Sequence, residues 1–153
     1  LSRSSAASDV YKRQVCDFVI SCSNVKFGFT ETRLGLIPST IGPYVVGKMG
    51  EAKTREVFMS AKIFSEVDAK SLNIVSEISE NLDQSVEDQI NSYLKTAPKA
   101  VGEAKALVRS LGATIDDKVI ERTIEQLADI WEGEEARHGI EAFFSKTKPR
   151  WAN

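Results

Sequence analysis

Cysteine, histidine and proline are scarce in this chain: two, one and four among 153 residues. Cys16 and Cys22 lack Cys-x-x-Cys or zinc-ligand spacing, so no metal site and no redox pair is expected. Two thiols in an ordinary globular composition fit a reducing compartment, and the expected location is cytoplasmic. His138, the single histidine, has no nucleophile near it in sequence. A Ser-His-Asp arrangement is therefore not expected, and His138 reads as an exposed helix residue. There is no glycine-rich phosphate loop. No apolar run approaches the roughly 18 residues of a membrane span, so no membrane partner is expected. A net charge of −2 offers no bulk attraction to nucleic acid.

What remains is 42% hydrophobic and 27% charged, enough for one domain with a core. Residues 1–14 (LSRSSAASDVYKRQ) have no hydrophobic centre and no strand or helix period. They read as a disordered or non-native, adapter-like leader. Val15 to Cys22 is rich in β-branched residues and predicts a buried strand. Lys26-Phe27 extends briefly, and a short helix is expected over 41–48, where Pro43 suits a first turn. Glu51 to Ser60 predicts a helix burying part of Ala52, Val57, Phe58 and Met59. Ser65 and Asp68 have capping-box spacing, Asn73 suits a left-handed helix end, and 74–78 alternates like a strand.

Four helical segments follow. Val86, Ile90 and Leu94 mark the face of the first, and Val101, Ala104, Leu107 and Val108 are the expected inward face of the second, opened by Pro98. The third runs through Ile120, Ile124 and Ile130 to a break at Gly133, and Glu134 to Phe144 forms the last. The organisation is thus a core region over 15–80 and a helical region over 81–153. The few strands cannot form a stable sheet alone, so the composition of elements reads as part of a larger α/β domain.

The most informative segment is Phe27-Gly-Phe-Thr-Glu31-Thr-Arg-Leu-Gly35-Leu-Ile-Pro38. It places one carboxylate in a tight, largely apolar loop, a position suited to exchanging protons with a substrate. On residue type alone, Glu31 could instead pair with Arg33 or cap a nearby turn. Gly35 permits positive φ or close backbone approach, and Pro38 fixes a turn. Leu36, Ile37, Ile41, Tyr44 and Val45 suit either a pocket wall or plain core. The tail Ile140-Glu-Ala-Phe-Phe-Ser-Lys146-Thr-Lys-Pro-Arg-Trp151 combines aromatic faces with cations. Such a combination could stack on a base and hold a phosphate, or be an apolar helix end with a solvated tail.

The first of these segments resembles the enoyl-CoA hydratase/isomerase (crotonase) superfamily. There a Phe-Gly-x-x-Glu-x-x-Leu-Gly-x-x-Pro stretch carries one of two catalytic glutamates, a role that the match carries to Glu31. Phe64 to Ala69 resembles a further family element. The tail is similar to a Gly-x-x-Ala-Phe-x-x-Lys-x-x-Pro ending, matched by Gly139, Ala142, Phe143, Lys146 and Pro149. The resemblance implies that Phe143 and Lys146 contact the nucleotide end of coenzyme A and that Gly35 and Pro38 border the acyl pocket. It implies a C-terminal part of a ββα spiral followed by a helical oligomerisation region, assembling as homotrimer or hexamer when complete. An acyl-CoA would be substrate, with no metal and no separate cofactor, since coenzyme A belongs to the substrate.

The family's upstream half, with the oxyanion-hole N–H groups and first glutamate, has no counterpart here. An N-terminally truncated and by itself inactive chain is therefore expected. Asn73, Gly133 and Phe29-Thr30 depart from the usual residues. The Glu31–Pro38 wording together with Pro43-Tyr-Val-Val is similar to the methylglutaconyl-CoA hydratase branch of leucine breakdown. An enoyl-CoA isomerase or other one-carboxylate reaction, and a non-catalytic helical assembly module, are the alternative readings.

Overall fold

The computed structural model describes residues 15–152; the leader read over 1–14 and Asn153 lie outside the described residues. Two compact units share the chain. One joins the described residues up to Val25 with Ser65–Thr114, and the other joins Lys26–Phe64 with the chain from Ile115 onward.

In the first unit, β1 (Ile20–Ser21) pairs in parallel with β4 (Glu77–Ile78), Ile20 facing Glu77 and Ser21 facing Ile78. The pairing extends past the strand ends. The Val19 carbonyl accepts from Ser76 and Glu77, and the Val19 N–H donates to the Ser76 hydroxyl at 3.1 Å. The strands expected over 15–22 and 74–78 are each shorter than their patterns predict. Val15 is exposed and has no ladder partner among the described residues, while Ile74 and Val75 are buried as irregular chain. β-Branched density reports a wish for burial, and a strand also needs a neighbour to bond.

Between these strands lies α3 (Glu66–Ser71), opened by a full capping box. The Ser65 hydroxyl accepts the Asp68 N–H at 3.2 Å, and the Asp68 carboxylate accepts the Ser65 N–H at 3.1 Å. Both pairs satisfy N–H groups that have no partner inside the helix. Asn73 closes the element at φ 63°, the left-handed residue expected there. Then come α4 (Leu82–Leu94), capped by the Asn81 side chain, and α5 (Pro98–Leu111), with Pro98 in its first turn.

In the second unit, β2 (Lys26–Gly28) pairs with β3 (Ile63–Ser65). A 3-10 turn (Glu31–Leu34) follows β2, then α1 (Gly42–Met49) and α2 (Glu51–Ser60). After the other unit's residues come α6 (Asp117–Trp131) and α7 (Glu134–Phe144). The core gathers Phe29, Ile41, Val45, Met49, Val57, Ala136 and Ala142. On α2 the buried positions are Thr54 and Val57. Ala52 and Met59, expected to be part-buried, are exposed, because the face set by Thr54 and Val57 turns them outward.

The long helices form where their periodicity predicts, but their apolar faces are not inward. Val86, Ile90 and Leu94 of α4, Val101, Leu107 and Val108 of α5, and Ile120, Ile124 and Ile130 of α6 are all exposed, Leu94 at 75% and Val108 at 70%. A 3.6-residue period shows that one face favours cover; it does not say what supplies it. No described helix is long and apolar enough to cross a membrane.

Replacing Ser65 with Ala removes the cap that opens α3. A loss of about 1 kcal/mol is expected, read as a lower urea midpoint at unchanged slope. Ser65→Thr keeps the acceptor and should retain most of it. An S65A midpoint equal to that of the parent chain would show that the box contributes nothing.

Candidate active site

Glu31 is the first residue of the 3-10 turn, two residues after the buried Phe29. The aromatic ring of Phe29 meets Phe58 edge-on at 5.1 Å and Phe64 at 6.3 Å, while Phe27 stacks on Phe64 at 6.1 Å. This cluster anchors the chain entering the turn. A Cβ on Gly28 would lie 2.7 Å from the end of the half-exposed Ile63 side chain, which can swing aside. The turn closes on Gly35 at φ 70°, and the Glu31 carbonyl accepts the Leu36 N–H at 3.1 Å. Thr32 ties the turn to α2 by donating its hydroxyl to the Phe58 carbonyl at 3.0 Å.

The opposite support is α7. A Cβ on Gly139 would lie 2.4 Å from the Leu34 carbonyl oxygen, and one on Gly35 would lie 2.6 Å from the Glu135 carbonyl carbon and oxygen. Helix and turn therefore meet backbone to backbone. Ala136, Gly139 and Ala142, the buried residues of α7, are all small and three apart, which places them on one helix face. Beyond the turn, Pro38 and Ser39 are buried, and the Ser39 hydroxyl donates to the Thr123 carbonyl of α6.

The Glu31 side chain is where this scaffold leaves something undone. Its Oε2 is shut off from solvent and has no hydrogen-bond partner among the described residues. Arg33 is exposed and makes no ion pair with Glu31, and Glu31 caps nothing through its side chain. A buried carboxylate oxygen without a partner is costly, and native proteins keep few such atoms.

The tail is ordered on α7. The helix ends with Lys146 at φ 55°, the Thr147 N–H returning to the Ala142 carbonyl at 2.9 Å and the Lys146 N–H to Phe143 at 3.2 Å. This is a Schellman ending with a lysine at the position that glycine usually takes. His138, expected as an exposed helix residue, is half-buried. Its Nε2 accepts the Arg150 N–H at 3.1 Å, and its ring meets Trp151 edge-on at 5.8 Å. Arg150 adds an ion pair with Glu134 at 2.7 Å. The sequence pattern missed this because the tail's return is a tertiary event.

A cleft of about 450 Å³ lies among the turn, the end of α2, α7 and the tail, its walls including Arg33, Met59, Phe143, Thr147 and Trp151. Of the expected coenzyme A residues, Phe143 lines it, 64% exposed, whereas Lys146, Gly35 and Pro38 do not. Leu36, Ile41 and Val45 are buried in packing, and Ile37 and Tyr44 are half-buried; none of the five lines the cleft. Among the described residues no His, Cys, Asp and Glu side chains cluster as a metal site would require. Thr32 and Gly139, which sequence reasoning did not place at the site, hold its turn. Only Gly139 carried a signal, since an interior helical glycine costs about 1 kcal/mol unless packing uses it.

The fold is that of solved enoyl-CoA hydratases. One from Mycobacterium avium superposes with a TM-score of 0.81 over 95% of this chain and 58% of its own, at 22% identity. Another, from Shewanella pealeana, is 32% identical with a TM-score of 0.65, covering 93% of this chain and 54% of that one. The fold class is thus the crotonase-type α/β fold. In sequence, the mitochondrial methylglutaconyl-CoA hydratase of Rattus norvegicus is 25% identical over 89% of this chain and 45% of its own length. The sequence model of the enoyl-CoA hydratase/isomerase family matches residues 13–153, and the chain belongs to that family. It spans about half the length of the curated relatives it matches.

Replacing His138 with Ala removes the acceptor that holds the tail. A hydrogen bond worth about 1 kcal/mol corresponds to roughly fivefold more open tail. Trypsin should then cut after Arg150 about fivefold faster, read by mass spectrometry. Equal cutting in H138A and the parent would mean that the tail is held by other contacts.

Proposed function

We propose that Glu31 is a general acid/base in hydration of a 2-enoyl-CoA thioester. The observation that carries this reading is its buried, unpartnered Oε2 on a turn braced from two sides. In the reaction the water oxygen bonds to C3, water gives up one proton, and C2 gains one. Negative charge builds meanwhile on the thioester oxygen. A carboxylate beside the reacting carbons can make one of the two proton transfers. The second carboxylate, and the two N–H groups directed at the thioester oxygen, lie outside these 153 residues in this reading. No metal or redox group enters the mechanism.

The substrate proposed is an acyl-CoA, with 3-methylglutaconyl-CoA as the specific candidate. The Glu31–Pro38 wording and the rat relative's name support that choice. Gly35 and Pro38 would shape the acyl end, while Phe143 and Lys146 would meet the nucleotide end. Both of the latter are exposed, and they lie on one stretch of chain. The uncovered apolar faces of α4, α5 and α6 support assembly into a homotrimer or hexamer.

Glu31→Gln in the longest product of the native locus tests the reading. Turnover of crotonyl-CoA or 3-methylglutaconyl-CoA should fall by about 10²–10⁴-fold, with oligomer size and melting unchanged. Unchanged turnover would favour a non-catalytic assembly module. Loss of double-bond migration, in a protein that never hydrates, would favour an isomerase. The 153-residue chain assayed by itself should show no hydration; measurable hydration by it would refute the assignment of the other groups to residues outside it.

A further inference from the structure

The helical C-terminal region reads first as an assembly element, but α7 does something more specific. It passes so close to the 3-10 turn that no side chain fits at the crossing. Ordinary contact for a Cβ begins near 3.4 Å, and at Gly139 it would fall at 2.4 Å from the Leu34 oxygen and 2.5 Å from the Leu34 carbon. The reciprocal position, Gly35, is equally closed by Glu135 and Ala136. These obstacles are backbone atoms, so no rotamer change relieves them. On the other side of the turn the Thr32 hydroxyl bonds the Phe58 carbonyl of α2. Leu34 and Thr32 are turn-mates of Glu31, and the Glu31 carbonyl is itself bonded within the turn by the Leu36 N–H. Movement of Leu34 therefore carries Glu31 with it.

We propose that Gly139 and Thr32 are positioning residues for the Glu31 carboxylate, so that α7 forms part of the catalytic scaffold in addition to any role in assembly. This rests on the reading of Glu31 as a proton-transfer group. Neither residue needs to touch substrate. Adding a methyl at Gly139 forces helix and turn apart by about 1 Å, and a misplacement of that size costs on the order of 100-fold in turnover.

The test uses whichever form of the protein, this chain or the longer product of its locus, turns over crotonyl-CoA. Gly139→Ala should lower kcat about 100-fold, a larger effect than any rise in KM from shifting Phe143, which shares α7. Gly102→Ala, a helical glycine with open space around it, is the control and should keep full turnover. Thr32→Val, isosteric and without the hydroxyl, should lower kcat about tenfold with a melting shift of only about 2–4 °C, as one lost hydrogen bond predicts, and Thr32→Ser should recover most of the lost kcat. A merely structural role would move melting and KM together and would not distinguish Val from Ser. A folded G139A with native kcat would overturn the proposal. Should G139A not fold, T32V and T32S decide it: native turnover in T32V overturns the bracing of the turn. Activity surviving in Glu31→Gln is a separate result, which removes the catalytic reading whatever Gly139 does.

Discussion

The approach of two backbones at Gly35 and Gly139 is the constraint on which the rest of the second unit depends. Once α7 lies against the 3-10 turn with no side chain between them, the crossing distance and the face of α7 that is buried are both set. Ala136 and Ala142 continue the same thin face, so the helix lies flat on the turn. The residues beyond it must then leave at a fixed point, where Lys146 takes a left-handed conformation and sends the tail back along α7. His138 and Glu134 are in reach of Arg150 because of that geometry.

The same crossing explains how a short turn can hold an unfavourable group. A buried carboxylate oxygen with no partner costs about 1–3 kcal/mol, and a mobile loop would relax to expose it. Here Phe29 is fixed by two other rings, Thr32 by a carbonyl of α2, and Leu34 and Gly35 by α7. The cost at Glu31 is offset by these fixed neighbours.

Much of this was legible in the residues. The segment around Glu31 identified the candidate site, the Ser65–Asp68 box and Asn73 set the bounds of α3, and Pro98 and Gly133 punctuated the later helices. These are local effects, written in consecutive residues. The strand over 15–22 was overdrawn because pairing depends on a partner remote in sequence. The face of α5 was assigned inward because periodicity carries no information about the covering surface. Thr32 gave no signal at all: a threonine hydroxyl is as compatible with solvent as with the Phe58 carbonyl 26 residues away.

The sequence by itself determined the helix periods, the caps, the turn glycines and the family wording, since each is settled by a residue and its near neighbours. Tertiary structure alone decided that Glu31 carries a buried oxygen with no partner among the described residues, that Gly139 is an interlock with the turn, and that the tail folds back on His138. Those facts arise where segments distant in the chain exclude water and each other's side chains. Excluded volume between remote backbones leaves no mark in local sequence beyond a glycine.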